Sequence, residues 1–588
     1  MKIKILLFLI FLCNLSFAQS VKLKIIETTD VHGAMFPYDF KNDEYENGSL
    51  AQVYSYVKRE RSNTGQEVIL LDNGDILQGT PLVYYYNYEL PDSQHVFANV
   101  MNFMGYDAAT IGNHDIETGH SVYDKFNDEI DFVWLAANAV CADSNEPYFS
   151  PYAVIEKADV KIAVLGLITP GIPSWLPPQI YSGIEFNDMI ETADDWVSQI
   201  IEIENPDVIV GLFHSGVDFT YSNQTDTTYK NENAALLVAQ KVPGFDVVFV
   251  GHDHHGWDTT IVNRVGKSVR VMGGTSGARN VAAAEITLTK DYESDRWEKN
   301  ISGSLVDMDA YEADTEFLKR YSNVFLRVKN YVARPIGEIE STISSNDALF
   351  GPSQFVDLIN FIQLDITKAD ISFAALLSLN ASIEKGKVFV RDMFELYKYE
   401  NLLYTIKLSG AEIKDYLEYS CGLWFNTMQD SSGHLLNFEI DEDSNLVYSQ
   451  RTNTPSLKNS FYNFDAAAGI EYVVDVTKPV GERVTIMQMS KGGDFYADSI
   501  YTVAVNSYRG NGGGGHLIYG AKIKPEQLQS RIINSTDKDL RYYMMKWFEE
   551  TKTVSPFSFG NWSVVPVEWW EKAKETDYKL MFGNKVEE

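Results

Sequence analysis

The stretch DVVFVGHDHHG, residues 246–256, runs from an apolar segment directly into a cluster of three histidines. The whole chain of 588 residues has only ten histidines, so the cluster stands out from the composition. The run VVFV predicts a buried β-strand. Buried strands with polar functional residues just past their carboxyl ends are typical of layered α/β enzymes.

Four other segments have the same form, with an apolar run that ends in Asp, Asn, His and Gly. They are VKLKIIETTD at 21–30, EVILLDNGD at 67–75, DAATIGNHD at 107–115 and DVIVGLFHSG at 207–216. One such segment is a weak signal, but five within the first half of the chain predict a layered α/β domain. The carboxyl ends of its strands should carry the functional site.

The polar residues of these segments form a predicted metal site. The seven candidate ligands are Asp30, His32, Asp75, Asn113, His214, His252 and His254. Carboxylate, amide and imidazole groups together suit Zn, Mn, Fe or Co better than the oxygen-only shells of Ca or Mg. Taken singly, Asp75 could instead cap a helix and Asn113 could occupy a turn.

Two divalent ions about 3.5–4 Å apart need a bridging carboxylate, and such a pair activates water against a bound phosphate. Asp75 is the predicted bridge because it stands alone in its segment. We expect Asp30, His32 and His254 to bind one ion with it. We expect Asn113, His214 and His252 to bind the other.

The composition limits the possible functions. The chain is 45% hydrophobic and 22% charged, as in globular proteins, and it is too long for a single core, so at least two domains are expected. The net charge of −33 disfavours nucleic acid polymers and anionic membranes as partners. A small anionic substrate is still compatible, because a local metal cluster overrides the distant field.

Residues 1–18 have the pattern of a secretory signal peptide: two lysines, an apolar run over 5–12 and a small residue, Ala18. The run is too short for a membrane anchor, and Cys13 lacks the small preceding residues of a lipoprotein site. We therefore expect a periplasmic protein without a membrane span. Only Cys141 and Cys421 follow the leader, so no disulfide framework is expected.

A segment with helical spacing, residues 314–332, ends before Pro335 and predicts a helix between two domains. The expected limits are 19–312 for the first domain, 313–340 for the linker helix and 341–588 for the second domain.

The motifs DVH, GDILQG, GNHD, HSG and GHDH stand in this order, and as a set they resemble the calcineurin-like metallophosphoesterases. In particular the chain looks like secreted 5′-nucleotidases and 2′,3′-cyclic-nucleotide 2′-phosphodiesterase/3′-nucleotidases, over nearly its whole length. The resemblance implies a layered β-sandwich flanked by helices, then a second α/β (α+β) domain that confers nucleotide specificity.

The resemblance also implies roles for individual residues. His114 and Glu117 match a catalytic histidine–acid dyad, although many 5′-nucleotidases have Asp at the second position. Tyr508 and Phe464 match two rings that clamp the base, with Tyr462 as the alternative to Phe464. Asn380 and Arg391 stand where many 5′-nucleotidases have a Gly-Gly-x-x-Arg segment, which this chain lacks.

That departure favours the cyclic-nucleotide and 3′-nucleotidase branch. The expected function is therefore a nucleotide phosphohydrolase with two divalent ions and no protein partner. The alternatives are a 5′-nucleotidase, an enzyme for UDP-sugars, sugar phosphates or non-nucleotide diesters, and a non-catalytic nucleotide-binding protein.

Overall fold

A computed structural model describes residues 19–291, 296–449 and 452–583. The predicted signal peptide, residues 1–18, lies outside the described residues. The mixed α/β class and the two domains are confirmed.

The first domain has two six-stranded sheets. In spatial order, the first sheet comprises Arg296–Asp307, Asn280–Asp291, Ser20–Thr28, Glu67–Asp72, Ala108–Thr110 and Val133–Leu135. The second comprises Trp257–Val262, Ser268–Gly273, Val247–Val250, Val208–His214, Val160–Ile168 and Tyr152–Lys157.

The two sheets pack face to face, and helices cover both outer faces. Leu23 and Ile25 of the first sheet share one buried core with Val164 and Leu212 of the second. Helices Leu50–Arg61, Val96–Met104 and His120–Glu129 pack on the outer side of the first sheet. Helices Met189–Glu204 and Ala235–Lys241 pack on the outer side of the second. This is the expected layered sandwich.

Parallel pairing brings the five motif segments to one edge. Ser20–Thr28 runs parallel to Glu67–Asp72, which runs parallel to Ala108–Thr110. In the second sheet, Val208–His214 runs parallel to Val247–Val250. Each of these strands ends where a motif begins, so the polar residues that follow meet at the same end of the sandwich.

The predicted linker helix over 314–332 is two helices, Thr315–Arg320 and Ser322–Val332. They meet at Tyr321, whose backbone leaves the helical region with φ −102° and ψ 12°. The Tyr321 side chain is buried in the first domain, and its hydroxyl donates to Asn99 Oδ1 at 2.9 Å. Tertiary packing of this ring accompanies the break, which helical spacing alone does not reveal.

The second domain is built on a five-stranded sheet. Its strands in spatial order are Asp465–Ala468, Ile371–Ala375, Ile500–Asn506, Leu402–Ser409 and Ile532–Asp539. A three-stranded sheet comprises Val484–Met489, Ile470–Asp475 and Trp562–Val565, and another comprises Gly386–Phe389, Pro335–Ile339 and Thr553–Val554. The main helices are Gln354–Thr367, Val390–Leu396, Gly410–Trp424, Leu540–Thr551 and Val567–Phe582.

Hydrogen bonds from two tyrosines join the two domains. Tyr84, shortly after the Asp75 segment, donates its hydroxyl hydrogen to Asp539 at 3.0 Å. Tyr88 donates likewise to Glu400 at 3.1 Å. Among the described helices, none is both long and apolar enough to span a membrane.

Candidate active site

The candidate metal ligands converge at the edge of the sandwich in two groups. Within each group, one ligand atom per residue lies within 4.8 Å of the others. The first group is Asp30, His32, Asp75 and His254, and the second is Asp75, His214 and His252. Asp75 belongs to both groups, which is the position expected of a bridge.

The backbone at these positions is unusual. Asp30, His32, Asp75, His252 and His254 all have φ between 49° and 72°, in the left-handed region that non-glycine residues seldom adopt. Such conformations cluster at functional sites, where the surrounding structure holds them in place. Here they occur in the segments immediately after the strands.

Asp115 connects two of the ligand segments. Its Oδ1 accepts hydrogen bonds from the backbone N–H groups of Ile76 and Leu77, each at 2.9 Å. Its Oδ2 accepts from the N–H groups of Asp75 at 2.9 Å and Gly112 at 2.7 Å. One buried carboxylate thus fixes the Asp75 segment against the segment that carries Asn113. This role was not expected from the sequence, although Asp115 stands inside the GNHD motif.

The hydrogen bonds of His32 reveal which ring nitrogen is free. Its Nδ1 lies 3.2 Å from the Gln78 carbonyl, to which it donates, so Nε2 carries the lone pair. That Nε2 lies 3.1 Å from His254 Nε2. Burial lowers the pKa of His32 to about 4, and burial likewise lowers the pKa of His254. Two neutral rings with converging nitrogens fit a shared cation.

His214 faces a second set of electron donors. Its Nδ1 donates to the Asn73 carbonyl at 2.6 Å, and its Nε2 lies 3.1 Å from Asn113 Oδ1 and 3.2 Å from Asp75 Oδ2. Asp75 Oδ2 is buried without a hydrogen-bond donor. Burial opposes a charge on His214, yet attraction to Asp75 raises its pKa to about 10. The site thus favours positive charge, and its N and O atoms fit a borderline divalent ion.

His114 and Glu117 lie on one face of the short helix Asn113–Glu117. His114 Nδ1 is 2.6 Å from Glu117 Oε2, so the longer side chain at position 117 reaches the ring. Burial opposes the charge on His114, but Asp75 and Glu117 together raise its pKa to about 9. The His114 ring is therefore positively charged at neutral pH, with protons on both nitrogens. Nδ1 faces Glu117, which leaves Nε2 for a ligand.

A cleft of about 750 Å³ runs from this edge to the second domain. His114, Glu117 and His252 line it from the first domain, and Tyr462 and Tyr508 line it from the second. The cleft therefore brings His252 and the His114–Glu117 pair into one space with Tyr462 and Tyr508. Trp175 and Glu232 also line the cleft. Neither was expected from the sequence, because neither stands in a recognisable motif.

Phe464, expected in the base clamp, lies elsewhere. Its side chain is 2% exposed, and its ring stacks on Trp424 with 5.5 Å between ring centroids and 9° between planes. Both residues belong to the core of the second domain. The ring has no free face for a base, so we correct the expected pair to the alternative, Tyr462 with Tyr508.

Asn380 and Arg391 also lie away from the cleft lining. The backbone N–H of Asn380 donates to Asn346 Oδ1 at 3.0 Å. Arg391 Nη1 lies 3.7 Å from Asp43 Oδ2, and its guanidinium is 5.0 Å from the centroid of the Phe389 ring. The geometry does not support either as a direct substrate contact, and we withdraw both predictions.

Arg509 lies beside the two tyrosines of the cleft. Its guanidinium makes a bidentate pair with Asp465, at 2.9 and 3.0 Å, and donates to the Tyr462 carbonyl at 2.6 Å. It also lies 5.3 Å from the centroid of the Tyr508 ring. Gly513 is required beside that ring, because an added Cβ would lie 2.5 Å from its carbon atoms.

Comparison with known families agrees with this geometry. Residues 23–256 match the calcineurin-like phosphoesterases, and residues 335–520 match the C-terminal domain of 5′-nucleotidases. The chain is a calcineurin-like phosphoesterase with a 5′-nucleotidase C-terminal domain. It is therefore a hydrolase that acts on phosphoesters.

Relatives match this phosphoesterase over most of its length at low identity. The trifunctional nucleotide phosphoesterase protein YfkN of Bacillus subtilis is 26% identical, over 94% of this chain but only 39% of its own length. A 2′,3′-cyclic-nucleotide 2′-phosphodiesterase/3′-nucleotidase of Haemophilus influenzae is 26% identical, over 93% of this chain and 88% of its own. A solved Staphylococcus aureus structure assigned as a 5′-nucleotidase has a TM-score of 0.73 at 21% identity, over 92% of this chain and 99% of its own.

Proposed function

We propose that this phosphoesterase hydrolyses nucleotides with two divalent ions of the Zn, Mn, Fe or Co type. The observation that carries the proposal is one cleft lined by Asn113 and His252 on one side and by Tyr462 and Tyr508 on the other. Asp75 connects the group of His252 to the other ligand group. Asp30, His32 and His254 would hold one ion with Asp75, and Asn113, His214 and His252 would hold the other. When bound, such a pair polarises a phosphoryl group and lowers the pKa of water.

The protein's own groups orient the substrate and handle the proton. His114, protonated and held by Glu117, stabilises charge on the phosphoryl oxygens and donates its Nε2 proton to the departing nucleoside oxygen. The base stacks between Tyr462 and Tyr508, which suits any base because every base has a π-face. Stacking and phosphate binding together fix the scissile bond beside His114.

The favoured substrates are 2′,3′-cyclic nucleotides and 3′-nucleotides. Two observations support this branch: the missing Gly-Gly-x-x-Arg segment, and the Haemophilus influenzae relative with that name, which covers most of both chains. The competing function is 5′-nucleotide hydrolysis, which the C-terminal domain family favours. Further candidate substrates for the same hydrolytic reaction are UDP-sugars, sugar phosphates and non-nucleotide diesters.

The first experiment compares release of phosphate and nucleoside from 5′-AMP, 3′-AMP and 2′,3′-cyclic AMP. It uses purified protein with added Mn or Zn, and Asp75→Asn as the control. Turnover of the cyclic and 3′ substrates, lost in the control, is the expected result. Turnover of 5′-AMP alone would assign the 5′ branch. Nucleotide binding without any turnover would favour a non-catalytic binding protein.

We also propose that the protein is exported to the periplasm, because residues 1–18 have the pattern of a signal peptide. The domain limits 19–312, 313–340 and 341–588 are part of the same proposal. The small-molecule substrate is the one partner proposed, and the net charge of −33 disfavours nucleic acid polymers.

A further inference from the structure

Two groups that the proposed function leaves without a role contact His252. The ring of Trp175 stacks on it, with 5.6 Å between centroids and 29° between planes. His252 Nε2 lies 3.4 Å from Glu232 Oε1. Glu232 stands twenty residues earlier in the chain, outside the five motif segments, and its side chain is 18% exposed.

The position of Glu232 is fixed by its backbone rather than by its side chain. Its carbonyl accepts hydrogen bonds from the hydroxyls of Thr169 at 2.9 Å and Ser215 at 2.8 Å. Its N–H donates to Gln224 Oε1 at 3.0 Å. Thr169 and Ser215 directly follow two neighbouring strands of the second sheet, one of which ends at His214. These bonds hold the Glu232 backbone next to the strand ends that carry the candidate metal ligands.

Trp175 is fixed in a similar way. An added Cβ on Gly171 would lie 2.6 Å from the Trp175 ring, so glycine is needed for the ring to take its place. One side of the ring thus packs on Gly171, and the ring also stacks on His252. Trp175 therefore supports the His252 ring from one side.

We propose that Glu232 is a positioning residue for the second metal ion. It accepts the Nε2–H of His252 and so leaves Nδ1 as the nitrogen that binds the metal. Ligating histidines commonly donate their other N–H to a carboxylate, which fixes the tautomer and makes the ring a stronger ligand. This inference rests on the proposed function, because it assumes the second ion.

The test measures metal content and affinity rather than turnover. Wild type, Glu232→Ala and Glu232→Gln are loaded with Mn²⁺, desalted and analysed by mass spectrometry for bound metal, and each affinity is measured by calorimetry. Glu202→Ala, an exposed glutamate on the helix Met189–Glu204, is the matched control. Truncation at position 232 keeps the backbone hydrogen bonds, and circular dichroism checks that the fold is retained.

The wild type and the Glu202→Ala control should bind two ions. Glu232→Ala should keep one ion and bind the second about 10- to 100-fold more weakly. Glu232→Gln keeps a carbonyl acceptor and should stay within a few-fold of wild type. Two ions of unchanged affinity in Glu232→Ala would overturn the inference alone, and so would equal losses in Ala and Gln, which indicate a direct ligand. Fewer than two ions in wild type would overturn the dinuclear proposal and this inference with it.

Discussion

His114 Nδ1 and Glu117 Oε2 lie 2.6 Å apart, three residues from each other on one short helix at the mouth of the metal cluster. The contact orients the ring, which lines the cleft, and helps keep it protonated. A protonated histidine matters most where the leaving group is a poor one, because an alkoxide needs a proton and a nitrophenolate does not.

Replacing His114 should therefore affect substrates unequally. For His114→Ala we expect kcat on 3′-AMP to fall by about 10²–10⁴-fold, and kcat on p-nitrophenyl phosphate to fall far less. Glu117→Gln removes one charge-assisted hydrogen bond, worth about 1.5–3 kcal/mol, so a loss of roughly 10- to 150-fold is expected. Steady-state kinetics on both substrates checks this, with bound metal measured in each variant. Equal losses on both substrates would contradict leaving-group protonation.

Tyr462 and Phe464 should respond differently to substitution, because only Tyr462 lines the cleft. Tyr462→Ala should lower kcat/KM for nucleotides by an amount equivalent to about 1–3 kcal/mol of stacking, and should leave p-nitrophenyl phosphate nearly unchanged. Phe464→Leu should lower the melting temperature, since Phe464 stacks on Trp424 in the core, and should keep the ratio of the two activities. If Phe464→Leu changes that ratio and Tyr462→Ala does not, the corrected clamp is wrong.

Gly513 should be needed for nucleotide binding although it carries no side chain. An added Cβ would lie 2.5 Å from the Tyr508 ring and must displace it. Gly513→Ala is therefore expected to raise KM for nucleotides about tenfold or more, within the energy of one stacked base, while p-nitrophenyl phosphate turnover stays near wild type. Gly433→Ala is the matched control, because its added Cβ meets the Asp430 carbonyl at an ordinary 3.7 Å. Equal KM values in the two variants would refute this role.

The sequence predicted which residues come together because each candidate ligand lies at the end of a strand or shortly after it, and parallel pairing brings strand ends together. The same reasoning does not reach Asp115 or Glu232. Asp115 acts through backbone groups of another segment, and Glu232 meets His252 only after the chain has folded. Local pattern gives the residue types at a strand end, but a contact between distant segments depends on tertiary packing.

The positions of the aromatic side chains likewise depend on tertiary packing that the sequence does not reveal. In YNFD, residues 462–465, two rings stand two positions apart, and nothing local says which one faces the cleft. The structure turns Phe464 onto Trp424 and leaves Tyr462 at the surface of the cleft. The break at Tyr321 likewise accompanies burial of one ring in the first domain. The periodicity of the sequence predicts neither which ring of YNFD faces the cleft nor that the helix breaks at Tyr321.

His95 should make stability depend on pH independently of the metal site. Its Nε2–H donates to Asn87 Oδ1 at 3.0 Å, and its Nδ1 accepts the N–H of Phe97 at 3.3 Å, at the start of helix Val96–Met104. The ring is neutral in this arrangement, and a second proton would displace the Phe97 donor. Burial lowers the pKa of His95 to about 3.

Because the folded pKa lies below the unfolded value of about 6.5, the unfolded chain gains a proton first as the pH falls. The contribution of His95 is thus complete above pH 6.5 and declines by about 1.4 kcal/mol per pH unit below it. We expect wild type to exceed His95→Gln in unfolding free energy at pH 7.5, and the gap to shrink by about 2 kcal/mol at pH 5.0. Urea denaturation of both proteins at the two pH values measures this. Other titrating groups are shared by both proteins and cancel in the difference, so a gap that stays constant with pH would mean that His95 titrates normally in the folded protein.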